Sequence, residues 1–193
     1  MASYLQEHYK GKFSYIGVDI SQELINYAKQ DAPKMKFVCE DISEFITRQK
    51  QESFDVVVGT ASFQHIPSFK ERLFLMKHFY RVLRYDGVLI MTNWSYSLWF
   101  LRRFWKEILK SWGEWIVSLG KTPWRDIFLP WTSRGKRKRR YYHMLSLKEL
   151  KKLTDFSGLS GEEMWYISRK GEKTLDWRQA ANSLLVARKR PIG

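Results

Sequence analysis

The chain has 193 residues and 44% hydrophobic content, enough for one globular domain with a full core and too little for several. Its formal net charge of +14 favours a polyanionic partner, either a nucleic acid or an acidic membrane surface. The one cysteine, Cys39, excludes an internal disulfide and a multi-cysteine metal site, and it fits a reducing, cytoplasmic setting.

The polar opening MASYLQEHYKGK lacks the apolar core of a signal peptide, and no apolar run approaches the roughly 20 residues that span a bilayer. Ala2–Tyr9 reads as the tail of a helix. Phe13–Ile20 is the first strand run and closes on Asp19, after which Ser21 caps a helix over Gln22–Gln30 that Pro33 ends. Lys36–Cys39 is the second strand, followed by Glu40, Asp41 and Ile42. Phe54–Thr60 is the third, followed by Phe63, Gln64 and His65. Ser68 with Glu71 makes a capping box, and Phe69, Leu73, Met76, Tyr80 and Leu83 form the apolar stripe of the helix behind it. Asp86 and Gly87 turn the chain into a strand over Gly87–Trp94.

Residues 95–133 differ in character. Leu101, Phe104, Trp105, Ile108, Leu109, Trp112, Trp115, Ile116 and Leu119 recur at helical spacing, with Arg102, Arg103, Lys106, Lys110 and Glu114 off that stripe. Trp94, Trp99, Trp105, Trp112, Trp115, Trp124 and Trp131 place most of the nine tryptophans in or beside this segment. Arg134–Arg140 then gathers six cations. Ser146 and Glu149 suggest a second capping box ahead of Leu150 and Leu153, and strands over Glu163–Ser168 and Ser183–Ala187 suit an antiparallel pair at one edge. Alternating strands and helices predict an α/β, Rossmann-like doubly wound, mostly parallel sheet with that antiparallel edge. The expected organisation is one domain over 1–193, with 95–133 as a helical, Trp-rich cap.

The chemistry gathers at strand ends. Asp19 presents a carboxylate able to accept hydrogen bonds from two vicinal ribose hydroxyls, with plain helix capping as the competing reading. Asp41 ends the neighbouring strand in the same way, placed to accept an adenine amine while Ile20 and Ile42 flank the ring. A helix N-terminal acid is its rival reading. Gly59, Phe63 and His65 fall where cofactor and substrate meet in such a sheet. No residues are marked as metal ligands.

The order of Gly17–Asp19, Glu40–Ile42, Phe54–Val57, Phe63–Pro67 and Arg81–Ile90 resembles a class I S-adenosylmethionine-dependent methyltransferase. Asp126–Trp131, the basic run, and Arg140–Leu150 resemble more narrowly the tRNA methyltransferases that esterify 5-carboxymethyl groups on wobble uridines. The resemblance implies S-adenosylmethionine as cofactor and tRNA as partner, with room for a small activator subunit. It implies that His65, Arg140 and His143 hold the acceptor carboxylate, already ionised at neutral pH. Tyr141 and Tyr142 would stack on an extruded base while Arg137, Lys138 and Arg139 meet phosphates.

The family's glycine-rich loop and first strand are missing, since the chain begins 18 positions before Asp19 and the loop lies about 20 residues upstream in such folds. The expectation is an incomplete reading frame at the N-terminus. The alternatives are direct closure of the Asp19 strand on the Phe54 strand, or a strand supplied by a partner chain. Two functional alternatives stand beside tRNA methylation. One is a small-molecule or lipid methyltransferase, with membrane-surface contact through the Trp-rich cap. The other is a cofactor-dead homologue that binds RNA or a partner.

Overall fold

A computed structural model describes residues 1–119, 125–133 and 136–190, without the side chains of 132, 133, 136 and 137. Contacts group the chain into two compact units, Met1–Lys50 and Gln51–Gly193.

The first unit runs α1 (Ala2–His8), β1 (Ile16–Asp19), α2 (Gln22–Asp31), β2 (Lys36–Cys39) and α3 (Ile42–Thr47). Ser21 caps α2 as expected, its Oγ accepting the Leu24 amide, and Ile25 is the helix's buried residue. The crossover makes β1 and β2 parallel, in register from Ile16 opposite Lys36 to Asp19 opposite Cys39.

The second unit begins with β3 (Phe54–Thr60), a 3₁₀ turn at Phe63–His65, α4 (Phe69–Val82) and β4 (Leu83–Trp94). Next come α5 (Leu98–Arg103), α6 (Trp105–Val117), β5 (Asp126–Ser133) and β6 (Lys136–His143). It closes with α7 (Leu147–Ser157), β7 (Leu159–Ser168), β8 (Lys173–Thr174) and β9 (Ala180–Lys189). One sheet has the order β3-β4-β9-β7-β8, parallel at β3–β4 and antiparallel beyond. The α/β class and the antiparallel edge follow the sequence, and the antiparallel share is larger because β9 lies between β4 and β7.

Among the described residues β1 pairs with β2 alone and β3 with β4 alone. Val56 and Val58 of β3 are 51% and 39% exposed.

β4 begins at Leu83, before the expected turn. Asp86 and Gly87 form a bulge, not a turn, because the register jumps from Phe54 opposite Leu83 to Val56 opposite Val88. A Cβ at Gly87 would lie 2.8 Å from the Arg84 carbonyl oxygen, so only glycine fits there. The capping box of α4 is present, but its buried face is Arg72, Leu75, Met76, Phe79 and Val82; of the expected stripe of Phe69, Leu73, Met76, Tyr80 and Leu83, Met76 and Leu83 are buried, and Leu83 already belongs to β4. The buried face carries an arginine inward.

The cap expected over 95–133 is helical only as far as α6, and β5 and β6 form an antiparallel pair with Ile127 opposite Tyr142 and Leu129 opposite Arg140. Alternation explains the difference: Ile127 and Leu129 face inward, while Pro130 and the dense cations hide the period of two. Phe100 and Ile108 of the helices pack with Ile127, Leu129, Tyr142 and Met144 in one core. Each such buried side chain contributes about 1.5–3 kcal/mol.

Candidate functional site

In the first unit two aspartates stand at adjacent strand tips. Asp19 ends β1 opposite Cys39, and its carbonyl accepts the Glu40 amide at 3.1 Å. Its Oδ1 accepts the Ser21 amide at 2.7 Å, and Asp41 Oδ1 accepts the Ser43 amide at 2.7 Å as the cap of α3. Asp41 therefore caps α3, while Asp19 accepts the amide of Ser21, the residue that caps α2, and each contact fixes the direction of its carboxylate. Glu40 is committed elsewhere, to Arg48 at 2.6 Å, which separates it from Asp41. Ile20 is 72% exposed at the β1 tip, and Ile42 is half-buried at the start of α3.

These residues fit the adenosine half of a nucleoside cofactor. The methionine half finds no cradle here, since Gly11 and Gly17 are closed by the rings of Tyr9 and Phe37, where a Cβ would approach to 2.6 Å. Neither opens a strand-to-helix loop.

In the second unit, the β3 tip departs from expectation at Phe63. That ring is 4% exposed and packs on Phe79, so it belongs to the core rather than to a cofactor face. Gly59 is half-buried, and a Cβ there would meet Met91 Cγ at 3.4 Å. Ala61 holds φ of 48°, a left-handed conformation that costs a residue with a Cβ about 1–2 kcal/mol and that concentrates at functional sites. Gln64 Oε1 accepts the Trp94 amide at 2.6 Å, and His65 Nδ1 meets the Tyr141 carbonyl at 2.9 Å with its ring edge on Tyr142.

His143 does not hold an acceptor. It is 3% exposed, with Nδ1 at 2.6 Å from Asp126 Oδ1 and Nε2 at 2.9 Å from Glu149 Oε2. Two carboxylate partners require both ring nitrogens to donate, which makes the ring an imidazolium with no donor left over. Glu149 also takes Arg72 Nη2 at 3.0 Å, and Arg72 donates through Nη1 to the carbonyls of Ile66 and Pro67. Four ionic groups from α4, β5, β6 and α7 thus lock the hairpin to the helices. Sequence reading missed Arg72 and assigned Glu149 to a capping box. Ser146 does cap α7, but the Glu149 carboxylate turns to His143 and Arg72.

Burial disfavours the His143 imidazolium, yet the hydrogen bonds to Asp126 and Glu149 outweigh it and hold its pKa above the ordinary 6.5. Burial likewise opposes the Glu149 carboxylate, but His143 and Arg72 hold its pKa below the ordinary 4.5. The Glu149 contribution to stability is present above its unfolded value and is lost as pH falls through its lower folded value. That of His143 is complete below its unfolded value and is lost as pH rises through its raised folded value. Thermal unfolding is expected to be latest between about pH 4.5 and 6.5, and in His143→Gln the decline on the alkaline side should vanish.

Tyr142 is also corrected. It is 3% exposed and stacked on Trp94 with centroids 5.0 Å apart, so it cannot receive an extruded base. Tyr141 is half-buried, donates its hydroxyl to the Pro67 carbonyl at 2.7 Å and meets Phe128 edge-on. Burial, with Asp126 nearby, raises its pKa well above the usual tyrosine value. The cations of β6 are where a polyanion can reach them. Lys138, Arg139 and Arg140 are exposed, with Arg139 over the Phe128 ring at 5.0 Å and Arg140 over Trp131 at 5.3 Å. The Arg137 side chain lies outside the described residues, as does Trp124.

The second unit also holds a cavity of about 340 Å³, lined by Tyr96, Leu101, Trp112, Arg125, Tyr166 and Trp177 together with Ser95, Leu145 and Ser146. Burial pushes the Tyr96 phenol up to about 12, so it stays neutral there. Aromatic walls with one guanidinium suit a planar anionic ligand.

Residues 1–91 match the methyltransferase domain family. Over 90 residues the chain is 33% identical to a glycine/sarcosine N-methyltransferase of Aphanothece halophytica, covering 45% of this chain and 34% of that protein. Over 80 residues it is 28% identical to a malonyl-[acyl-carrier protein] O-methyltransferase of Bacillus anthracis, covering 40% of this chain and 28% of that protein. The chain thus spans about a third of the length of these curated relatives. A crystal structure of an S-adenosylmethionine-dependent methyltransferase from Methanosarcina mazei superposes with a TM-score of 0.69 at 21% identity, covering 98% of this chain and 84% of that one. A didemethyltoxoflavin N1-methyltransferase from Burkholderia thailandensis, solved with S-adenosylhomocysteine, gives 0.55 at 14% identity and covers 91% and 61%. The chain has the fold of the class I S-adenosylmethionine-dependent methyltransferases.

Proposed function

We propose that this chain transfers a methyl group from S-adenosylmethionine to an RNA acceptor, a tRNA bearing a carboxylate-modified uridine. The observation that carries the reading is the pair of directed carboxylates at adjacent strand tips, Asp19 and Asp41, inside the segment that matches the methyltransferase family. Asp19 is suited to the ribose hydroxyls, and Asp41 to the adenine amine between Ile20 and Ile42.

When bound, the cofactor supplies an electrophilic methyl on sulfonium. The protein's task is then to hold the acceptor in line, and a carboxylate needs no base to remove a proton. Exposed Lys138, Arg139 and Arg140 supply the charge for a phosphate backbone, and Arg140 is an exposed donor near the Tyr142 ring for the acceptor. His65 is a positioning residue, tied to β6 through the Tyr141 carbonyl.

The direct test incubates the chain with methyl-labelled S-adenosylmethionine and total tRNA. Label should enter a ribonuclease-sensitive, alkali-labile product, as an ester requires, and label that appears only in small molecules would refute the RNA acceptor. In a binding titration, the double variant Lys138→Glu, Arg139→Glu should lower the slope of log affinity against log salt by about 2. An unchanged slope would place the RNA elsewhere.

One observation favours a second reading. The aromatic cavity with Arg125 is sized for a small planar anion, and a relative matched over 90 residues is named for glycine and sarcosine, both small acceptors. In that case Arg125→Ala, rather than the β6 variants, would abolish transfer.

A further inference from the structure

α6 is built with its apolar side outward. Trp105, Leu109 and Ile116 follow one helical stripe, yet they are 53%, 54% and 64% exposed, and Trp112 on the same stripe, a wall of the cavity, is 40% exposed. The side turned inward carries Ile108 and Ser111, and the buried Ser111 hydroxyl has no hydrogen-bond partner. Core packing explains Ile108 but neither the buried serine nor the outward stripe, since a water-facing helix normally turns its serine out and its leucine in. The stripe continues past the helix, with Val117 and Leu119 at 85% and 90% exposed, and Trp99 of α5 lies at 48%. No element among the described residues covers it, and so large an exposed apolar patch marks an interaction surface.

The charges bordering the stripe identify the occupant. Arg102, Arg103, Lys106 and Lys110 are all exposed. Lys106 Nζ lies 5.5 Å from the Trp105 ring, and the Arg103 guanidinium 5.4 Å from the Phe104 ring, with stems along apolar surface and heads toward water. Of the neighbouring acids, Glu107 is half-buried and Glu114 lies 3.8 Å from Arg139. A protein partner would have to desolvate those cations. A bilayer interface leaves them at headgroup level while tryptophan and aliphatic side chains enter the acyl boundary. No helix among the described residues is long and apolar enough to cross a membrane, which leaves in-plane attachment.

We propose that α5 and α6 form a docking surface for an anionic lipid bilayer, with Trp105, Leu109 and Ile116 inserted and Lys106 and Lys110 on the headgroups. This surface touches the β6 cations through the Glu114–Arg139 pair, and it does not depend on the methyl-transfer reading. The experiment is flotation of the whole chain with phosphatidylcholine vesicles, with and without phosphatidylglycerol, at low and high salt. The chain should float with the anionic vesicles and be released by salt. Leu109→Asp with Ile116→Asp changes only exposed positions and should weaken binding by about tenfold or more while leaving tRNA binding unchanged. Lys106→Glu with Lys110→Glu should remove the preference for anionic vesicles, and Lys138→Glu, which leaves the Glu114–Arg139 pair intact, should leave flotation as it was. Absence of flotation with anionic vesicles overturns the proposal, as does equal flotation by the Leu109→Asp, Ile116→Asp chain. Sedimentation showing that the same variant merely converts a self-associated wild type to monomer, with neither form binding vesicles, would also overturn it.

Discussion

Glu149→Ala is expected to destabilise the chain by about 3–5 kcal/mol, because it strips Arg72 and His143 of a shared buried partner and leaves their charges uncompensated. Against a total stability of about 5–15 kcal/mol, that loss should unfold a large share of the second unit at moderate denaturant. The experiment is denaturant unfolding followed by near-ultraviolet circular dichroism, which reads the packed tryptophans of that unit. Asp126→Asn is the informative companion. It keeps a hydrogen-bond acceptor for His143 Nδ1 while removing one charge, so it should cost less than Glu149→Ala. Equal and small effects for both would mean that the cluster adds nothing beyond packing. Because Arg72 also holds the Ile66 and Pro67 carbonyls beside His65, the destabilised variant should lose RNA affinity as well.

Asp19→Ala is expected to raise the KM for S-adenosylmethionine roughly 10- to 100-fold, the loss of two hydrogen bonds to a charged acceptor at about 1.5–3 kcal/mol in all. The acceptor KM should stay where it was, which separates a cofactor contact from general damage. The substitution also frees the Ser21 amide, so a modest fall in stability is expected with it. Asp19→Asn keeps an acceptor for the Ser21 amide and should lose cofactor affinity nonetheless. If Asp19→Asn behaves like the wild type, the carboxylate serves the turn ahead of α2 and no more.

Much of this architecture was written locally in the chain. Asp19 and Asp41 were legible because β-branched runs end at each and a capping pattern starts after each, a signal confined to a few residues. The strands at Lys36–Cys39 and Phe54–Thr60 were found at their observed bounds for the same reason. β5 and β6 were not, because 126–133 was read as part of a helical cap and 134–140 as a basic run, and only pairing across the hairpin makes them a sheet. The Glu149 error is similar in kind. Serine followed three residues later by glutamate is a capping signal, and the amide half of it forms, but a buried imidazolium from another element took the carboxylate. The inward turn of Arg72 had no sequence mark, since a charged residue next to an apolar stripe is normally placed outside. Tyr142 and His143 were grouped with Tyr141 by adjacency along a motif, while the strand sends neighbours to opposite faces. The stripe on α6 was evident as amphipathicity, but a periodicity cannot say which side meets water.

The central claim is that the two strand-tip aspartates form an adenosine-binding pocket. Calorimetric titration of the whole chain with S-adenosylhomocysteine tests it most directly, in the wild type and in an Asp19→Asn, Asp41→Asn pair that keeps acceptors for the Ser21 and Ser43 amides. A saturable heat in the wild type that disappears in the pair is the predicted result. Identical isotherms for the two proteins, or no heat in the wild type, would contradict it.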